Sequence, residues 1–236
     1  MNPILILVPA FNEEANIVQV LEMLTEEGRG WDVLVINDAS EDRTGELAGI
    51  GGKAGVIDLP FNLGIGGAIQ TGFKYACRSG YSYVVQFDAD GQHQAEEISK
   101  LLGPVLSDEA DVAIGSRFLE KNDGYRSTWS RRFGIRIFEW LGLLLIHQRI
   151  TDPTSGFRAY NRRAIEFLAD RYPGDYPEPE AVVLLGRNHF RIKEVSTSMQ
   201  KRQGGISSIT IFNSPYYMTK VSLGMIMTAL RPGIAR

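Results

Sequence analysis

A chain of 236 residues is long enough for one large α/β domain with a full core. With 44% hydrophobic and 22% charged residues it has the balance of an ordinary soluble protein, and its net charge of −3 argues against a general nucleic-acid binder. A single cysteine, Cys77, excludes an internal disulfide framework and a cysteine-based metal cluster.

Residues 4–8 form a continuous apolar strand that begins directly after Met1-Asn2-Pro3, so no signal peptide is expected. Asn12 serves as the N-cap of a helix running to about Glu27, and Glu13 and Glu14 suit the positive end of its dipole. Residues 33–36 are the second strand, and Ser40 caps a short helix with Glu41 and Asp42 in its first turn. A third strand (56–59), a helix (66–78), a fourth strand (83–87), a helix (96–106) and a fifth strand (112–114) follow. Cys77 lies in the apolar pattern of its helix and reads as a buried structural thiol. This alternation indicates a mainly parallel sheet covered on both faces. Ligands of such sheets bind beyond the carboxyl ends of the strands. Segments 9–12, 37–40, 62–67 and 88–92 all fall at those ends, so four polar, turn-rich segments converge on one rim.

Beyond Ser116 the alternation fades. Residues 130–145 read as a largely apolar helix, 154–159 as a loop or short strand, and 162–168 as a helix. Residues 175–179 are proline-rich and acidic, 192–199 alternate like a strand, and 216–230 look helical and rich in Met. No uninterrupted apolar stretch approaches the ~20 residues of a membrane span. The expectation is one domain over residues 1–236 in a cytoplasmic protein.

The most informative run is Phe87-Asp88-Ala89-Asp90-Gly91-Gln92-His93, at the end of the fourth strand. Alternate residues of an extended segment point the same way, so Asp88 and Asp90 can aim two carboxylates at one point. Two hard oxygen ligands suit Mg²⁺ or Mn²⁺, which takes one or two protein carboxylates and fills its shell with water and phosphate. A metal–diphosphate site is therefore expected; a solvated turn is the alternative, since Asp and Gly are turn residues. For His93, a hydrogen bond at the helix start is expected, with phosphate or metal contact as the alternative.

The order of motifs is distinctive. Pro9-Ala10-Phe11-Asn12-Glu13-Glu14 follows strand one, Asn37-Asp38-Ala39-Ser40 strand two, and Asn62-Leu63-Gly64 precedes the Gly-rich helix. The acidic run follows strand four and Gly115-Ser116-Arg117 strand five, and then comes Asp152-Pro153-Thr154-Ser155-Gly156-Phe157-Arg158. This resembles a family 2 glycosyltransferase of the GT-A fold, and most the branch of dolichol-phosphate mannose synthases and bacterial polyprenyl-phosphate glycosyltransferases. The resemblance implies a Rossmann-like, mainly parallel sheet flanked by helices. Residues 1–117 would be the nucleotide-sugar half and 118–236 the acceptor-side half. It further implies that Pro9, Ala10, Phe11, Asn12 and Glu13 line the nucleotide pocket and that Asp38 contacts the nucleoside. Asp88 and Asp90 would hold the divalent metal (Mg²⁺ or Mn²⁺) and the donor diphosphate, with Gln92 beside them. Arg117 and Arg131 would bind phosphate groups of donor or acceptor, and the anomeric configuration would invert. The partners so implied are a nucleoside diphosphate sugar donor and a lipid-phosphate acceptor.

Physical chemistry points the same way. Breaking the sugar–diphosphate bond builds negative charge on the leaving group, which a metal and fixed arginines stabilise where it develops. An acceptor lipid phosphate is already ionised near neutral pH and needs positioning rather than a strong base. Residues 117–136 carry Arg117, Lys121, Arg126, Arg131, Arg132 and Arg136 against Glu120 and Asp123, a basic patch in an acidic chain. Such a patch suits phosphates and anionic lipid surfaces.

Asn37 stands where many members of the resembled family have Asp, which bears on nucleotide preference. Tyr176-Pro177-Glu178-Pro179-Glu180 stands roughly where glycan-extending members of the resembled family carry an acidic base, so the resemblance implies Glu180 or Glu178 in that role if the acceptor is a sugar hydroxyl, which must lose a proton; both also suit capping or orienting the following helix. Residues 202–208 are read either as a mobile lid over the diphosphate or as a surface loop. Segments 137–146 and 221–230 are apolar but too short to span a bilayer. They fit an interfacial helix pair at the inner face of the membrane, core burial, or docking on a small membrane protein. A nucleotidyltransferase is disfavoured because Pro9-Ala10-Phe11-Asn12 replaces the Gly-rich, basic loop that class needs after strand one. A catalytically silent scaffold is disfavoured by the intact acidic pair.

Overall fold

The computed structural model describes residues 3–27, 29–119, 129–200 and 215–231. Side chains of the helices at 129–146 and 215–230 are described from Gly134 and Tyr216 onward.

The first half alternates as expected. Strand β1 (Ile4–Ala10) leads to α1 (Ile17–Glu26), β2 (Asp32–Asn37), α2 (Thr44–Gly49), a 3-10 turn (Ile50–Gly52) and β3 (Gly55–Asp58). Then come α3 (Gly64–Arg78), β4 (Tyr83–Gln86), α4 (Glu97–Leu106) and β5 (Val112–Ser116). The second half holds α5 (Trp129–Ile146), β6 (Arg158–Asn161), α6 (Arg162–Arg171), α7 (Pro177–Arg187), β7 (Ile192–Ser196) and α8 (Pro215–Leu230).

Among the described residues the strands make one seven-stranded sheet in the order β3-β2-β1-β4-β6-β5-β7. Every pairing is parallel except those of β6, which runs antiparallel between β4 and β5. Alternation along β1 explains the burial on both faces. Leu5 and Leu7 pack with α3, α6 and α7, whereas Ile6 and Val8 pack with α1 and α4. A third cluster joins α5, α7 and α8 through Phe138, Val183, Tyr217 and Met225.

Three local expectations change. The first long helix starts at Ile17, not at Asn12, because Asn12 takes a left-handed backbone (φ 54°). Asn tolerates that conformation, and its side-chain oxygen accepts from Glu41 N (2.8 Å) instead of capping a helix. Ser40 likewise does not cap α2, which begins at Thr44; its hydroxyl accepts from Asn12 N (3.0 Å). The last strand stops at Ser196, short of residue 199.

Helix α3 sits close to the turn before α7. A Cβ added to Gly66 would lie 2.2 Å from the carbonyl oxygens of both Pro173 and Gly174. Gly103, in α4, has nothing within 4 Å of that position. Gly66→Ala is therefore expected to destabilise by about 2 kcal/mol, since backbone must move. Gly103→Ala should stabilise by up to about 1 kcal/mol through helix propensity. Urea midpoints check both, and equal midpoints for the two variants would contradict the packing argument.

Candidate active site

The carboxyl ends of β1, β2 and β4 bring the expected segments together. Pro9 and Ala10 end β1, followed by Phe11, which is 45% exposed. The 10–16 and 38–44 loops are tied by hydrogen bonds from Glu13 N to Thr44 Oγ1 (2.8 Å) and from Glu14 N to Asp42 Oδ2 (3.1 Å). Asp38 is buried, and its Oδ1 accepts from Leu63 N (2.7 Å), so it fixes the Asn62-Leu63-Gly64 turn beside the rim. Asn37 donates to Asp58 Oδ1 (2.7 Å) and accepts from Ser40 N (3.2 Å), bridging the ends of β2 and β3.

Strand β4 ends at Gln86, ahead of both acidic residues. A turn, not strand alternation, therefore places Asp88 and Asp90. Asp90 Oδ1 accepts from Gln92 N (3.0 Å). Gln92 also pairs with Gln200, accepting from Gln200 N (2.9 Å). Asp88 Oδ2 accepts from His93 Nε2 (3.2 Å), and the Asp88 side chain is 30% exposed. Burial alone would push the Asp88 carboxyl up; the His93 hydrogen bond and charge, the Arg117 charge and Gln86 outweigh it and hold it below 3.8. The carboxylate is thus kept ionised at a sheltered position, as cation binding requires. His93 does not serve the helix start as expected: it is buried and its partner is Asp88.

The Asp152–Arg158 motif forms the adjoining wall. Arg117, expected at a phosphate, is buried in a bidentate ion pair with Asp152 (Nε to Oδ2 2.5 Å, Nη2 to Oδ1 2.6 Å) and also donates to Thr154 Oγ1 (2.9 Å). Arg117 and its own hydrogen bonds overcome the burial that would push the Asp152 carboxyl up, and leave it below 3.8. Arg158 is fully buried and donates to the carbonyls of Ser155 (2.8 Å), Pro153 (2.8 Å) and Glu178 (2.9 Å). Two arginines thus hold the 151–157 loop, Arg117 through Asp152 and Thr154 and Arg158 through the carbonyls of Pro153 and Ser155. Neither Asp152 nor Arg158 was singled out from sequence. Their signal was the motif itself, whose two charged ends have to be paired if the apolar residues between them are buried.

Arg131 lies in α5, but its side chain is outside the described residues, as are Lys121, Arg126, Arg132 and the 202–208 segment. The two glutamates diverge. Glu180 accepts from Thr228 Oγ1 on α8 (2.6 Å). Burial pushes the Glu178 carboxyl up to about 7, the Arg158 charge opposing and the Asp88 charge adding to the rise. An acid with a raised folded pKa gives stability that is full below its unfolded value and is lost as pH climbs towards about 7. Glu178→Gln should then gain on wild type by on the order of 2 kcal/mol between pH 5 and pH 8. Melting curves at both pH values check this; a variant–parent difference independent of pH would contradict it.

On the outer side, Trp140, Leu143 and Leu144 of α5 are exposed, as are Leu223, Ile226, Met227 and Leu230 of α8. Among the described residues no helix is long and apolar enough to cross a membrane.

The comparisons with known proteins agree with this geometry. The family described as "Glycosyl transferase family 2" matches residues 5–168. A polyprenol monophosphomannose synthase of Mycolicibacterium smegmatis is 30% identical over 226 residues, covering 92% of this chain and 85% of that protein. An undecaprenyl-phosphate mannosyltransferase of Micrococcus luteus is 31% identical, covering 88% and 87%. Glucosyl-3-phosphoglycerate synthase of Mycobacterium tuberculosis, solved with Mn²⁺, UDP-glucose and phosphoglyceric acid, superposes with a TM-score of 0.71 at 20% identity, covering 98% of this chain and 81% of that one. That likeness carries the fold, which is GT-A. The acidic turn after β4, the rim loops of β1 and β2 and the family match together place this chain in glycosyl transferase family 2, as a glycosyltransferase.

Proposed function

We propose that this enzyme is a metal-dependent, inverting glycosyltransferase that moves a sugar from a nucleoside diphosphate sugar to a polyprenyl phosphate. The observation that carries the reading is the pair Asp88 and Asp90 on the turn just past the carboxyl end of β4, beside the rim loops of β1 and β2. The similarity to two polyprenyl-phosphate mannosyltransferases over most of the chain supports the acceptor class.

The donor set fits Mg²⁺ or Mn²⁺. Two carboxylates with Gln92 beside them offer hard oxygens, and such ions need only one or two protein carboxylates when a diphosphate completes the shell. Bound there, the ion neutralises charge on the departing diphosphate. The chain's own residues do the rest. Pro9, Ala10, Phe11, Asn12 and Glu13 line the nucleotide side, and Asp38 orients the nucleoside. Asp88, Asp90 and Gln92 hold the diphosphate end. Arg117, paired with Asp152, holds the 151–157 loop beside the site, and Arg131 supplies positive charge for the donor and acceptor phosphates. Residues 1–117 serve the donor and 118–236 the acceptor, within one domain.

The exposed residues of α8 recur at i, i+3, i+4 and i+7, one face of a helix. With Trp140 and its neighbours on α5 they form the surface that rests on the inner face of the membrane, where the lipid acceptor resides. A small membrane protein partner would use the same surface. A second reading, transfer to a sugar hydroxyl, would use Glu178, at the start of α7 with its carbonyl bonded to Arg158 (2.9 Å) and its carboxyl pushed up to about 7 by burial. Glu178→Gln separates the readings, because it should abolish transfer to a hydroxyl and spare transfer to a phosphate.

The test is a thermal-shift series with GDP, UDP, CDP and dTDP, each with and without Mn²⁺, run beside flotation with anionic vesicles. A ligand that binds the folded chain raises its midpoint by mass action. One nucleotide should raise the midpoint only with Mn²⁺, and the protein should float with vesicles. No shift with any nucleotide would count against the donor site, and failure to float against the membrane surface.

A further inference from the structure

We infer that His93 is a positioning residue that sets the Asp88 carboxylate for its cation, and that the 151–157 loop acts on that carboxylate through the His93 ring. The inference rests on the metal reading above. His93 is 3% exposed, and its ring stacks on Phe157 (4.7 Å between centroids, 25° between planes) and meets the edge of Phe87 at 5.7 Å. Phe87 and Phe157 themselves pack edge to face at 5.7 Å. The aromatic pair fixes the plane of the imidazole. Its polar anchor is Asp88 Oδ2, 3.2 Å from Nε2, while Nδ1 is buried with no hydrogen-bond partner. A carboxylate only accepts, so the proton of this bond is on Nε2.

Space beside the carboxylate is reserved by the same loop. A Cβ on Gly156 would lie 2.6 Å from Asp88 Oδ2 and 2.8 Å from Oδ1. Gly156 and Phe157 are consecutive: one leaves room for the carboxylate and the other holds the ring that bonds it. Loop and turn are far apart in sequence, yet together they leave Asp88 little rotational freedom. Groups that orient a metal-binding carboxylate change metal affinity by about 10–100-fold when lost.

The test is Mn²⁺ alone, titrated by electron paramagnetic resonance into wild type, Asp88→Asn, His93→Phe and His93→Gln. His93→Phe keeps a ring between Phe87 and Phe157 but has no donor. It should weaken Mn²⁺ binding about tenfold with little change in melting temperature. His93→Gln restores an N–H donor and should recover most of the affinity, which a merely structural histidine would not require. Wild-type affinity in His93→Phe, while Asp88→Asn is weak, overturns the inference and leaves the metal reading standing. Equal binding by wild type and Asp88→Asn overturns both. Should His93→Phe fail to fold, ¹⁵N-histidine spectra of wild type decide. The chain has three histidines, and the His93 ring signals should shift on adding Mg²⁺; unchanged His93 signals overturn the inference.

Discussion

Asp88→Asn should lower sugar transfer by about a thousandfold and leave the fold intact. The carboxylate lies at the rim, kept ionised despite burial by His93, Arg117 and Gln86. An amide of the same shape removes the negative charge a cation needs, and the stabilisation of a charged leaving group is among the largest single contributions to such catalysis. Stability should not follow activity. Because its partners outweigh burial and favour the ionised form, Asp88→Asn should cost a modest amount of stability, small beside the loss of rate. Initial rates and melting temperatures on the same preparation check the pair of outcomes. A rate within tenfold of wild type would remove Asp88 from the site, and a collapse of the melting temperature would make its role structural.

Asp152→Asn should be the most damaging single change to stability, at about 3–5 kcal/mol. Asp152 is fully buried and forms two short bonds to Arg117. Taking away one charge of a buried pair leaves the other without its counter-ion, and that desolvated charge is the larger part of the loss. The double variant Asp152→Leu with Arg117→Met removes both charges and should recover much of the stability. Its activity should stay low, because the loop beside the rim loses the polar ties that Arg117 and Asp152 give it. Chemical denaturation of the two single variants and the double variant measures the coupling. Additive losses would mean the pair does not act as one.

What could be read from sequence follows physical rules. The strands at 4–8, 33–36, 83–87 and 112–114 were legible because each is an apolar run buried on both faces. Strand β6 was not: Arg158-Ala159-Tyr160-Asn161 shows no apolar alternation, and its place between β4 and β5 depends on tertiary pairing. The α1 boundary was misplaced because Asn12 is as competent in a left-handed turn as at a helix cap. At the site, the position of the acidic run just past the fourth strand was legible, but not the turn that places its two carboxylates, because strand alternation ends at Gln86. The pairing of Arg117 with Asp152, 35 residues away, depends on the fold and was not legible. The choice between Glu178 and Glu180 required the fold as well. Only packing shows that Glu180 bonds to Thr228 on α8 while the Glu178 carboxyl is buried and its carbonyl bonds to Arg158.

The central claim is sugar transfer to a polyprenyl phosphate. The direct measurement supplies purified enzyme with Mn²⁺, undecaprenyl phosphate and, in turn, radiolabelled GDP-, UDP-, CDP- and dTDP-sugars, and counts label in the lipid extract. Undecaprenol, with a hydroxyl in place of the phosphate, is the matched control. The account predicts labelled lipid from one nucleotide class, lost with chelator and absent with the alcohol. No labelled lipid from any donor, or equal labelling of the alcohol, would contradict it.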